Sequence, residues 1–320
     1  MTTNLARTVR RRGDLVRARR LYEEVVQVEP SAHNHQFLGW VCFGLGDVET
    51  ARREHTRALR ACATTTPTCG GCGTFADCRP YVGLTLSMMK YELGDVAGAL
   101  ATVEASAKAL AGGTNLTDDA WAAGIRGDLL VARDDFAEAR RAYERAIELT
   151  LTTGERGSLA DRRRSLAELE LEKGRFAEAE TLARAAAGSF RTERIVDRGA
   201  RAEAILALAL VARGKNDDAR RVEAEVRRAQ PQVQDQVVRI ALAVHLARLD
   251  AAQGRTAAAR EALQSAIGDA EALGFVASAM AARLALAEID GPAVAAPLAR
   301  DARARGFALV ARKASALATP

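Results

Sequence analysis

One pattern recurs along this chain and limits what it can fold into. Gly or Asp stands at a turn, a small residue follows five positions on, a bulky one comes four later, and another small one three after that. It opens at Gly13-Asp14 with Ala18, Tyr22 and Val25, and Pro30 closes it. Copies follow at Gly46-Asp47 (Ala51, His55, Ala58), Gly94-Asp95 (Ala99, Val103, Ser106) and Asp134-Asp135 (Ala139, Tyr143, Ala146). Further copies start at Gly174-Arg175 (Ala179, Ala183, Ala186), Gly214 (Ala219, Glu223, Val226) and Gly254 (Ala259, Leu263, Ala266), with a degenerate eighth at Gly291-Pro292. The turns lie 33 residues apart (13 to 46), then 48 (46 to 94), then 40 four times (94, 134, 174, 214, 254) and finally 37 (254 to 291). Such an array grows in one dimension, so residues 1–320 read as a single solenoid and not as two globular domains.

Gly lets a chain turn between two helices at positive φ. Small residues mark close helix approach, and the bulky residue fills the gap between units. The pattern resembles the tetratricopeptide repeat (TPR) family, whose turn Gly, small Ala, aromatic, Ala and closing Pro fall on Gly13, Ala18, Tyr22, Val25 and Pro30. The family's Leu-Gly or Leu-Ala pair stands in the preceding helices at Leu5-Ala6, Leu38-Gly39, Leu166-Ala167, Leu206-Ala207 and Leu246-Ala247. The resemblance covers nearly the whole chain. It implies an all-α, right-handed αα superhelix of about eight helix pairs, and a binding module in place of an enzyme. The competing fold is a bundle of helical hairpins without a groove.

Composition agrees: Ala, Leu, Arg and Glu dominate, all residues that lose little freedom in a helix. The 46 basic and 41 acidic residues are interspersed, so a net charge of +5 reads as a solvated helical surface and argues against a nucleic-acid partner. Met1–Arg12 has no apolar signal region and no stretch approaches the roughly 18 apolar residues of a membrane span, which gives the expectation of a cytoplasmic protein. Its cysteines are then expected to be reduced, metal-bound or catalytic.

The 48-residue interval holds an insertion, residues 63–80, between repeats two and three. Cys62, Cys69, Cys72 and Cys78 crowd it at spacing C-x6-C-x2-C-x5-C, with Gly70, Gly71 and Gly73 around the central pair. Thiolates this close suggest a metal site, with tetrahedral zinc, and disulfides or free thiols, as the alternatives to a cluster. The loop also resembles the iron–sulfur loop of the endonuclease III and adenine-glycosylase family, down to Pro67 two residues before Cys69. That resemblance implies a [4Fe–4S] cluster held by the four cysteines, in preference to Zn2+. It stops at the loop. The helix-hairpin-helix and catalytic context of those enzymes are absent, and Thr64-Thr65-Thr66 replaces the basic residues with which they meet DNA. Cys42 lies in an apolar helical stretch and reads as a small buried hydrophobe.

By resemblance to TPR proteins, the first helix of each repeat lines the concave groove. In repeats two to four those helices carry His33, Phe37, Trp40, Phe43, Tyr81, Met88, Tyr91 and Trp121. The equivalent later helices offer aliphatics such as Ala204, Leu208, Ala241 and Val244. An aromatic wall bearing Met suits a partner helix or extended peptide. A chaperone-type carboxylate clamp is not expected, because its positions hold residues such as Gln36, Trp40, Leu84 and Met88.

No catalytic constellation stands out. None of His33, His35, His55 and His245 falls in a metalloprotease or nucleophile–base motif, and His55 occupies the bulky slot of its repeat. The expected function is a protein-interaction scaffold. The alternatives are a regulatory sensor that reads the state of the cluster, or an electron-transfer or enzyme subunit. Repeat one starts almost at Met1, with Leu5, Ala6 and Val9 on its first helix and no polar cap, so a second copy or another chain is expected to cover that edge.

Overall fold

A computed structural model describes residues 2–64, 78–111 and 115–319. Among them the chain forms seventeen α-helices, one short 3-10 turn at Gln230–Gln232 and no strand. The first four antiparallel pairs are α1 (Thr2–Arg11) with α2 (Leu15–Val28), α3 (Ala32–Gly44) with α4 (Val48–Thr64), α5 (Arg79–Glu92) with α6 (Val96–Leu110), and α7 (Leu116–Ala132) with α8 (Phe136–Thr153). The next four are α9 (Arg156–Glu172) with α10 (Phe176–Glu193), α11 (Val196–Ala212) with α12 (Asn216–Ala229), α13 (Gln236–Ala252) with α14 (Thr256–Leu273), and α15 (Val276–Asp290) with α16 (Pro292–Ala304). A last helix, α17 (Ala308–Ala318), caps the array.

The repeat pattern converts directly into this geometry. All seven turn positions have positive φ, from 65° at Asp134 to 94° at Gly94. The small residue five positions on is fully buried in every copy, from Ala18 to Ala259. In the Gly-Asp copies the Asp caps the second helix: Asp14 accepts from the Arg17 amide at 3.1 Å and Asp47 from the Thr50 amide at 3.0 Å. His55 fills its bulky slot, with Nδ1 donating to the Ala51 carbonyl at 2.9 Å and Nε2 against the Thr85 hydroxyl at 3.0 Å. The insertion is narrower than residues 63–80, since α4 runs through Thr64 and α5 begins at Arg79.

The array then closes on itself. Repeats six to eight return against repeats one to three, so one hydrophobic core joins Val9, Tyr22 and Phe43 to Ile240, Leu263 and Phe275. The Phe43 and Phe275 rings lie 5.0 Å apart, and Tyr91 meets Phe307 at 5.9 Å. Farther along, Arg312 pairs with Asp134, and Lys313 with Glu172 at 2.7 Å.

This closure lets the chain itself cover part of the N-terminal edge. The chain's own later repeats meet it: the Val16 amide donates to Gln234 at 2.9 Å, and Arg198 donates to the Arg11 carbonyl at 3.1 Å. Ala6 and Val9 are buried, while Leu5 stays 43% exposed. One superhelical turn brings α11 and the residues just before α13 to the turn after α1.

Candidate functional site

Closure turns the concave face into a partly enclosed interior, a cavity of about 740 Å³. All eight residues of the expected aromatic wall line it. Phe37 is the hub. Only 3% exposed, it meets His33 edge-on at 4.6 Å, stacks with Trp40 at 5.9 Å and Tyr22 at 6.1 Å, and meets Tyr81 at 6.3 Å. Trp40 in turn stacks on Trp121 at 5.5 Å, and Tyr81 meets Trp121 edge-on at 5.3 Å. Trp40, Tyr81, Met88 and Trp121 remain half-buried and offer ring or thioether surface to the cavity. Phe43 and Tyr91 also reach the cavity but spend their rings on Phe275 and Phe307, at the seam between superhelical turns.

The helix that carries this wall is polar at its start for local reasons. On α3, Asn34 donates to the Glu29 carbonyl at 3.0 Å, and His35 faces Glu54 at 2.7 Å. Gln36 donates to the Tyr81 carbonyl at 3.1 Å, which fixes the start of α5 against α3 and with it the Tyr81 ring. His33 is the exception. It is buried, its Nδ1 has no partner, and burial with the nearby Arg7 and Arg10 charges lowers its pKa to about 4, so it is neutral at physiological pH.

Sequence reasoning missed the opposite wall, which is charged. Glu168 on α9 accepts from Arg201 at 2.9 Å and Arg164 at 3.2 Å, with His245 Nε2 at 3.4 Å. Burial opposes its charge, but Arg201, His245 and Arg164 outweigh that and hold the carboxyl well below the usual range. Asp161 pairs with Arg198 at 2.5 Å, and Arg248 with Glu288 at 3.1 Å. These residues stand on first helices; of the aliphatics expected there, Ala241 and Val244 also line the cavity, whereas Ala204 packs in the core. The usable signal was their spacing. Arg164 and Glu168 lie four apart beside the Leu166-Ala167 pair, on a helix already assigned to the groove.

Four arginines that line the cavity, Arg7, Arg10, Arg11 and Arg162, have no acidic partner among the described residues, and two of them are held by the wall itself. The Arg10 guanidinium lies 4.5 Å from the centre of the Phe37 ring and 4.7 Å from that of Trp40. Arg162 packs over Gly124, one helical step from Trp121, where a Cβ would collide with it. Seven cavity-lining residues (Arg10, His33, Arg162, Arg164, Asp197, Arg201 and His245) each carry a buried polar atom with no partner in the protein. Buried polar groups are normally satisfied, so this concentration marks a place where water or a ligand completes the bonding.

Of the four expected metal ligands, Cys69 and Cys72 lie outside the described residues, as does Pro67. Cys62, in the last turn of α4, and Cys78, just before α5, are joined as a disulfide, with Cα atoms 5.4 Å apart. In this state neither sulfur is free to ligate, which departs from the expectation of reduced cysteines. The reason is geometric: the two helix ends face each other within the span a disulfide needs. Among the described residues no group of three potential ligands forms a metal site. Cys42 is fully buried, and burial pushes its thiol up to about 12, as suits a packing residue. No helix of the described residues is long and apolar enough to cross a membrane.

Family models described as tetratricopeptide repeat match residues 3–65, 126–193 and 164–233, and a second such model matches residues 240–265. No curated protein matches the sequence. Among solved structures, a Rap protein complexed with competence and sporulation factor superposes with a TM-score of 0.65 at 12% identity, covering 99% of this chain and 94% of that one. The Rap conjugation gene regulator of plasmid pLS20, in complex with the Phr* peptide, gives 0.62 at 12%, covering 90% and 77%. Aspartyl phosphate phosphatase F from Bacillus subtilis gives 0.54 at 11%, covering 94% and 73%. At these identities the likeness is one of fold.

Proposed function

This chain belongs to the tetratricopeptide repeat family, and from that premise we propose that it is a non-catalytic binding protein that takes a peptide segment of its partner into the closed interior. The observation that carries this reading is the pairing of walls. A half-buried Trp40–Trp121–Tyr81 surface faces a ring of buried ions, several with unmet hydrogen bonds. An extended peptide can lay apolar side chains on the first and satisfy its backbone on the second. Two structures of similar fold hold peptides or small factors, which supports the reading at the level of architecture. The chain has two tryptophans, both on this wall, so their fluorescence reports on the interior alone. Titration with pools of random pentapeptides should change it saturably in the parent protein and much less in Trp121→Ala. Pools that leave it unchanged would refute the reading.

A second reading concerns the cysteines. We infer that in reduced protein Cys62, Cys69, Cys72 and Cys78 hold one cofactor, [4Fe–4S] in preference to zinc, and that the Cys62–Cys78 disulfide is the alternative, oxidised state. The convergence of the outer two, 5.4 Å apart at their Cα atoms, favours a shared site. Metal analysis of anaerobically purified protein decides it.

A further inference from the structure

Three of the buried polar atoms without partners lie together. Arg10 Nε on α1, the Tyr22 hydroxyl on α2 and His33 Nδ1 on α3 each lack a partner at normal hydrogen-bond distance, although the Tyr22 hydroxyl lies close enough to the Arg10 side chain to act on it, and all three side chains pack around the Phe37 ring. Two of the side chains are themselves buried, Tyr22 completely and His33 to within 5%. Arg10 has no acidic partner among the described residues. Apart from the Tyr22 and Tyr81 hydroxyls, the charged group that acts on it is Arg198, of like sign. On the opposite wall Arg198, Arg201 and Arg248 each have a carboxylate.

We propose that Arg10 and His33, which both line the cavity, form a carboxylate subsite at one end of the aromatic wall, with the fully buried Tyr22 hydroxyl supporting Arg10, and that it reads a carboxylate of the bound peptide lying beside an apolar side chain. This rests on the peptide-binding reading above. The chemistry fits the parts. A guanidinium N–H is a donor, and a neutral imidazole places either a donor or an acceptor at Nδ1. A carboxylate accepts from the guanidinium and from an Nδ1–H, and supplies the negative charge that the partly buried Arg10 lacks. The Phe37 and Trp40 faces already hold the guanidinium in place, so little ordering remains to be done on binding. None of the chaperone-type clamp positions is used.

Three probes separate the possibilities by tryptophan fluorescence on the full chain: acetyl-phenylalanine, acetyl-phenylalanine amide, and acetyl-glutamyl-phenylalanine amide. The first carries a terminal carboxylate, the second none, and the third a side-chain carboxylate. At least one acid should bind roughly tenfold more tightly than the plain amide, the size of a buried charge-assisted bond. Whichever acid gains shows which carboxylate the site reads. Arg10→Gln should abolish that gain and leave the amide titration unchanged. Tyr22→Phe should reduce the gain by removing the hydroxyl that supports Arg10; this variant decides the matter if Arg10→Gln fails to fold. Equal titrations by acids and amide in the parent, or equal losses for both in the variants, overturn the subsite. The pentapeptide pools test the binding interior separately.

Discussion

The Phe43 ring packs on Phe275 at 5.0 Å between centres, and this contact joins the second repeat to the turn that opens the eighth. It makes a ring of what would otherwise be an open spiral. Phe275→Ala should therefore cost about 3–5 kcal/mol, as buried Phe truncations do. It should also enlarge the particle, because the lost contact is one of those that close it. Small-angle scattering and denaturant unfolding would check both effects; an unchanged radius would mean that other seam contacts suffice.

The aromatic wall divides into residues that hold the fold and residues that face the cavity. Trp121→Ala should weaken peptide binding by about 2 kcal/mol or more and shift the unfolding midpoint little, since its ring is half-buried. Phe37→Ala should do the reverse, because that ring is the buried hub. If both variants unfold early, the whole wall is core.

The turn glycines are not equivalent. A Cβ on Gly94 would sit 3.1 Å from two Val276 carbons, whereas one on Gly254 would meet nothing. Both positions have positive φ, so Ala at either costs about 1–2 kcal/mol of backbone strain. Gly94→Ala should lose about 1–3 kcal/mol more, because the added Cβ would crowd the Cβ of the β-branched Val276 as well as its methyls. Paired unfolding curves would show the gap, and equal losses would contradict the seam geometry.

The seam should also respond to pH. Burial, and then the neighbouring Asp197 carboxylate, push Asp235 up to about 7. A raised carboxyl pKa means that the folded state favours the protonated form. The stability this group contributes is complete below its unfolded pKa of about 4 and is lost as pH rises through about 7. Glu92, which accepts from the Ser278 amide across the same seam, is shifted in the same direction. Asp235→Asn should flatten the fall in unfolding midpoint between pH 5 and 8. A parent protein no less stable at pH 8 than at pH 5 would count against this.

For the cysteine loop, anaerobically purified protein should be brown and contain about four irons per chain. Cys62→Ser and Cys78→Ser should each lose the cofactor, while Cys42→Ser keeps it, since that thiol is buried elsewhere in α3. Colourless protein with one zinc would keep the ligands and replace the cluster. Metal-free protein with the Cys62–Cys78 bond intact would leave the disulfide as the working state.

By itself the sequence determined everything that is local and periodic. The turn positions, the buried alanines, the packed His55 and the helix pairing all follow from spacings within about a dozen residues, where backbone conformation and close helix contact leave few choices. The aromatic residues of the cavity were legible for the same reason, since they share the groove-facing side of consecutive first helices. Closure was not legible. Superhelical pitch is the sum of small rotations between neighbouring repeats, and no single repeat records it. Only the tertiary structure decided that Phe43 would meet Phe275, that the end of α1 would meet α11, and that charges which look solvated in sequence would line an interior. It alone brought Arg10, Tyr22 and His33, from three separate helices, around one phenylalanine ring.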